Sequence, residues 1–133
     1  MKVLVDTSVW SLALRRTATI HPSRPLLEKI IQDGLVAIIG PIRQEILSGV
    51  RLPAQFNALR EKLRNFPDTV LTSEDFEDAA GYFNKCRSRG IQGSNTDFLI
   101  CAVSVRRKMS ILTTDQDFEH FAEILPIALY VEK

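Results

Sequence analysis

The stretch Lys2–Asp6, KVLVD, decides the fold: three apolar β-formers in a row end on an acid. Such a run, without polar alternation, is the pattern of a strand buried on both faces, as in parallel sheets covered by helices. Leu35–Ile39 (LVAII) and Ser110–Thr114 (SILTT) share it, and the shorter β-rich runs Thr69–Thr72 (TVLT) and Ala128–Val131 (ALYV) bring the number to five. Helical patterns lie between them. Leu26, Leu27, Ile30 and Ile31 share one face over Pro25–Gln32, with Asp33-Gly34 as the stop. Ile42–Leu47 follows Gly40-Pro41, and Ala54–Leu63 aligns Phe56, Leu59 and Leu63. Thr72, with Asp75 three residues on, predicts a boxed helix start reaching about Arg87. Beyond a loop flanked by Gly90 and Gly93, Ser94 or Asn95 caps a helix extending to Arg107. Alternating strands and helices with right-handed crossovers predict an α/β fold, a three-layer α/β/α sandwich around a five-stranded, mainly parallel sheet.

The bounds set by composition agree. A chain of 133 residues is expected to be one domain, residues 1–133. Its 45% apolar and 25% charged residues are those of a globular protein. Seventeen basic against sixteen acidic residues leave a net charge of +1, so bulk charge gives no sign of a nucleic-acid partner. The longest apolar run, Phe98–Val103, is far short of the ~18 residues that span a bilayer. Met1-Lys2 runs straight into the first strand pattern, so no secretory signal is expected. Cys86 and Cys101 fall in helical patterns without metal-ligand spacing, so a reduced, cytoplasmic protein without structural zinc is expected. The polar stretch Arg15–Arg24 reads as a mobile loop.

Topology then places the acids. Asp6 ends the first strand and Asp115 follows the fourth. Glu45 lies in the first turns of the helix leaving the second strand, and Asp97 in the first turn of the crossover helix leading into the fourth. All four belong at the carboxyl edge of the sheet, where ligands bind in open α/β folds. Crowded carboxylates disfavour ionisation, so at least one is expected to have a raised pKa unless a cation joins them. The oxygen-only set suits Mg²⁺ or Mn²⁺ and argues against zinc. Each acid also has a plainer reading. Asp97 complements a helix dipole, Glu45 is solvated, and Asp115 caps the short helix that follows. A charge ending a buried strand, as Asp6 does, needs a partner.

These motifs carry a resemblance. Val3-Leu4-Val5-Asp6-Thr7-Ser8-Val9-Trp10, Glu45 within Pro41–Leu47, Asn95-Thr96-Asp97-Phe98-Leu99-Ile100-Cys101-Ala102 and Leu112-Thr113-Thr114-Asp115-Gln116-Asp117-Phe118 together resemble the PIN-domain ribonucleases, and among them the VapC-type toxins of bacterial toxin–antitoxin modules. The resemblance implies a PIN-like sheet of strand order 3-2-1-4-5 and a Mg²⁺- or Mn²⁺-dependent endoribonuclease. Asp6, Glu45, Asp97 and Asp115 carry over as the catalytic acids, with Asp6, Asp97 and Asp115 as metal ligands. Asp117, Ser8 and Thr113 are secondary candidates; for the two hydroxyls, local backbone hydrogen bonding is the plainer reading. RNA is the implied substrate, a VapB-type antitoxin the implied partner, and a homodimer the expected assembly.

Two other classes place an acid after a first strand or in a cleft. One is an aspartate-nucleophile phosphatase or dehalogenase, which would want a further acid where Ser8 stands. The other is a non-catalytic module whose acidic cleft docks a basic partner. Arg15, Arg16, Arg24 and Arg43 are candidate phosphate contacts, whereas Arg106-Arg107-Lys108 reads as a helix end answering its dipole. His21 and His120 read as surface or loop residues. Trp10, Leu12 and Leu14 read as core, with a partner groove as the alternative.

Overall fold

The computed structural model describes residues 1–14 and 21–132. Its central sheet is parallel, in the order β2-β1-β3, with β1 at Val3–Val5, β2 at Val36–Ala37 and β3 at Ser110–Leu112. Leu4 of β1 faces Ala37 on one side and Ile111 on the other. Leu4 and Val5 are fully buried, as a strand without polar alternation requires. Seven helices among the described residues complete an α/β/α arrangement: α1 Thr7–Ala13, α2 Ser23–Gln32, α3 Gly40–Leu47, α4 Pro53–Leu63, α5 Ser73–Ser88, α6 Asn95–Arg106 and α7 Asp117–Ala122. Helix α1 packs on α2 and α3, while α5 and α6 form the most extensive helix pair.

The expected five-stranded sheet is not what forms; the sheet has three strands. Runs 69–72 and 128–131 do not extend it. Beside the first, a single parallel bridge joins Ile38 to Asp68, and in the second another joins Ile111 to Leu129. The physical reason is burial. Val70 is 80% exposed and Val131 75% exposed, so neither run presents the continuous apolar face that would hold a longer ladder. Pro67, next to the Asp68 bridge, also has no backbone N–H to donate.

Helix α1 is absent from the pattern-based reading. It starts directly on Asp6, whose side chain caps it, and buries Val9, Trp10 and Ala13. Trp10 is core: its indole N–H donates to the Val5 carbonyl at 3.2 Å and its ring tilts against Phe66. Leu12 is half-buried, and Leu14 is exposed where it lines a cavity with Leu27, Ile31 and Leu59. Arg15 and Arg16, and with them much of the expected loop at 15–24, lie outside the described residues.

The boxed start at Thr72 forms, and Ser94, one of the two expected caps of α6, makes a second box with Asp97. The Asp75 carboxylate accepts from the Thr72 backbone N–H at 2.8 Å, and that of Asp97 from the Ser94 N–H at 3.0 Å. Asp75 does more than cap. Fully buried, it also takes Arg107 through both oxygens, at 2.7 and 2.8 Å, and Arg106 at 3.1 Å. The Arg107 hydrogen bonds outweigh burial and hold the Asp75 carboxyl down to about 2. The start of α5 is thereby locked to the end of α6. No helix among the described residues is long and apolar enough to cross a membrane.

Candidate acidic site

Parallel pairing of β1 with β3 sets their carboxyl ends side by side, and polar side chains join the two there. Asp6, only 6% exposed, accepts three hydrogen bonds. The Thr7 backbone N–H donates to Oδ1 at 2.8 Å, while Oδ2 receives the Ser8 hydroxyl at 2.9 Å and the Thr113 hydroxyl at 2.8 Å. Three donors offset the cost of burying a carboxylate. Each hydroxyl also accepts, Ser8 Oγ from the Thr114 N–H at 3.1 Å and Thr113 Oγ1 from the Asp115 N–H at 3.0 Å. The backbone leading to Asp115 is thus tied to Asp6 through Ser8 and Thr113.

Asp115 is half-buried, and its Oδ1 accepts from the Asp117 N–H at 2.9 Å, which starts α7. Asp117 itself is exposed and enters this network through its backbone. Glu45 is exposed on α3, but its Oε1 accepts the Thr7 hydroxyl at 3.0 Å, which ties it to the residue after Asp6. Asp97, in the first turn of α6, sits in its box with Ser94, whose hydroxyl receives the Asp97 N–H at 3.1 Å. Burial, first, pushes the Asp97 carboxyl up; its bonds with Ser94 oppose this, and the negative charges of Asp6 and Asp115 add to it. A raised carboxyl was expected from crowding, and crowding turns out to be the smaller cause.

The four acids therefore share one edge without forming a coordination cluster. Among the described residues, no three His, Cys, Asp or Glu side chains stand close enough together to hold a metal ion. Each carboxylate is turned instead to protein donors. In donor chemistry the set still suits a hard divalent cation, being all oxygen, with Asp97 within electrostatic reach of both Asp6 and Asp115.

Sequence reasoning missed Thr7, because nothing local to it pointed to Glu45. It also misjudged Arg43, which is no free phosphate ligand: its guanidinium donates to Asp68 Oδ1 and the Leu63 carbonyl, both at 2.9 Å, and to the Phe66 carbonyl. Arg24 is exposed and pairs with Glu28. His21 lies just before α2, its Nδ1 accepting the Ser23 N–H at 3.1 Å, and His120 is exposed.

Comparison with known proteins gives the family. A family profile described as the PIN domain matches residues 3–124. A VapC ribonuclease of Mycobacterium bovis and the ribonuclease VapC11 of Mycobacterium tuberculosis are each 32% identical over 127 residues, covering 92% of this chain and 92% of theirs. Among solved structures, VapBC2 from Rickettsia felis bound to a DNA fragment from its promoter superposes with a TM-score of 0.77 at 14% identity over the whole of both chains. FitAcB from Neisseria gonorrhoeae gives 0.71 at 18% identity, over 97% of this chain and 96% of that one. A domain profile spanning almost the whole chain and two relatives matched nearly end to end lead to one conclusion: the chain belongs to the PIN-domain family, among its VapC-type toxin–antitoxin members.

Proposed function

We propose that the chain is a single nuclease domain, the toxin of a VapBC-type pair, and that it hydrolyses RNA phosphodiester bonds with Mg²⁺ or Mn²⁺. The observation that carries this reading is the buried Asp6 carboxylate, bonded to Ser8 and Thr113 and within electrostatic reach of Asp97. Asp6, Asp97 and Asp115 would hold the cation, and Glu45, fixed by Thr7, would complete the catalytic acids. The bound cation supplies activation of water and neutralisation of phosphate charge. Ser8 and Thr113 hold the Asp6 oxygens in place, and a positive charge arriving at the edge would favour the ionised Asp97 that burial disfavours. Asp117 has a secondary part, through the α7 start.

An aspartate nucleophile is less well supported, because both Asp6 oxygens already accept hydrogen bonds. A basic antitoxin side chain entering the acidic edge would compete with the cation and silence the enzyme. The enzyme would work in the cytoplasm, as a homodimer.

The test is cleavage of total RNA by purified protein in Mg²⁺ or Mn²⁺, with EDTA and Asp6→Asn as controls. Metal-dependent cleavage lost in Asp6→Asn is expected. Release of phosphate from small monoesters without RNA cleavage would favour the nucleophile reading instead.

A further inference from the structure

Asp97 lacks the ties that join the other acids. Asp6 is bonded to Thr113, Thr113 to the Asp115 backbone, and Glu45 to Thr7, whereas among the described residues the Asp97 carboxylate is bonded to Ser94 alone. Its distance from Asp115 is therefore set by packing. The two ends of α6 are held differently: ion pairs with Asp75 lock the end, and aromatic rings hold the start. Phe98, the residue after Asp97, lies 4.8 Å from Phe121 of α7 between ring centroids, and Phe121 meets Phe118 edge-on at 5.2 Å. Phe118 stands three residues beyond Asp115. All three rings are buried, and Phe83 of α5 backs Phe98 at 5.6 Å. A row of rings thus joins the two helix starts that present Asp97 and Asp115.

Gly93 seats the loop before α6 on this row. A Cβ there would stand 2.6 Å from Phe121 Cζ and 3.0 Å from Phe98 Cε2, well inside the spacing of packed carbons. Its φ is not positive, as that of Gly90 is, so close approach and not backbone conformation requires glycine. A close-packed interior transmits strain, and a methyl group at position 93 would push the start of α6 away from α7.

We propose that Gly93 and Phe121 are positioning residues of the cation site. With Phe98 they fix the separation of the α6 and α7 starts, so that only the Asp97 and Asp115 side chains need turn to close on a small divalent ion. The proposal rests on the cation-dependent reading above and adds what selects the ion by size. Mg²⁺ demands near-ideal octahedral geometry at ~2.0–2.1 Å, whereas Ca²⁺ accepts irregular, flexible sites at ~2.3–2.6 Å. Widening or loosening the two helix starts therefore penalises Mg²⁺ more.

The full chain, stripped with EDTA and dialysed, is titrated calorimetrically with MgCl₂ and separately with CaCl₂. Gly93→Ala should lower the ratio of Mg²⁺ to Ca²⁺ affinity about tenfold. Phe121→Leu leaves the row slack and should move the ratio the same way. Gly93→Ala combined with Phe121→Leu, where the added methyl meets no Cζ, should return it most of the way to the parent's. Lost stability alone leaves the ratio in place, because both ions bind the same folded state. A parent ratio in both single variants, whatever their melting temperatures, overturns the positioning role and leaves the cation reading standing. So does a double variant no nearer the parent than either single one. If Gly93→Ala does not fold, the ratio in Phe121→Leu decides alone. Binding of neither ion by the parent overturns the cation reading and the positioning role with it.

Discussion

Thr7 Oγ1 stands 3.0 Å from Glu45 Oε1, joining residues 38 positions apart where β1 turns into α1. Asp6 and Glu45 are thereby both tied to one residue. Thr7→Val keeps the shape and removes the donor. RNA cleavage should fall about tenfold, and Thr7→Ser should recover most of it, with thermal unfolding near the parent's. Parent-level cleavage by Thr7→Val would mean that the bond has no part in catalysis.

Asp6→Asn and Asp97→Asn should both lose cleavage by orders of magnitude, yet move stability in opposite directions. Asn at position 6 lacks one of the two oxygens that accept from Thr7, Ser8 and Thr113, at a cost of about 1–3 kcal/mol. Asn at position 97 keeps an oxygen for the Ser94 N–H and removes a charge that burial disfavours. In EDTA at neutral pH, denaturant melts should show Asp97→Asn as stable as the parent or more so.

Millimolar Mg²⁺ or Mn²⁺ should raise the melting temperature relative to EDTA, because a ligand held only by the folded state stabilises it by mass action. Asp6→Asn should abolish the rise. Calorimetry showing neither a shift nor binding heat in the parent would remove the cation from the mechanism.

Acid should release the lock between α5 and α6. The Asp75 carboxyl is held to about 2 in the fold, against about 4 in an unfolded chain. Its contribution is therefore complete above pH ~4 and lost as pH falls through ~2. Asp75→Asn should cost about 3 kcal/mol at neutral pH, by leaving Arg107 without its charge partner, and should flatten the acid limb of the stability curve. Urea melts at stepped pH measure both.

The placing of the acids at one edge is largely legible in the sequence, because an acid ending an unbroken apolar strand has few places to go. Asp6, Asp97 and Asp115 follow from that rule and from helix direction. What sequence misses is non-local. β-Propensity reports side-chain shape and not burial, which is why runs 69–72 and 128–131 read as strands although the sheet is met there by single bridges only, at Asp68 and Leu129. Arg106-Arg107 has an adequate local reading as a helix end, so nothing directs attention to Asp75, 32 positions before Arg107. Helix α1, seven residues long, is too short to display a period.

The bond from Thr113 to Asp6 spans 107 residues of chain and so bears on timing during synthesis. The α5–α6 pair is local and can form as soon as both helices leave the ribosome, whereas β1 meets β3 only after residue 112 has emerged. Until then Asp6 lacks Thr113, and Asp115 has not been delivered to the edge. Under the proposed function, the acidic site would therefore be incomplete, and RNA cleavage would not begin, until the last quarter of the chain has been made.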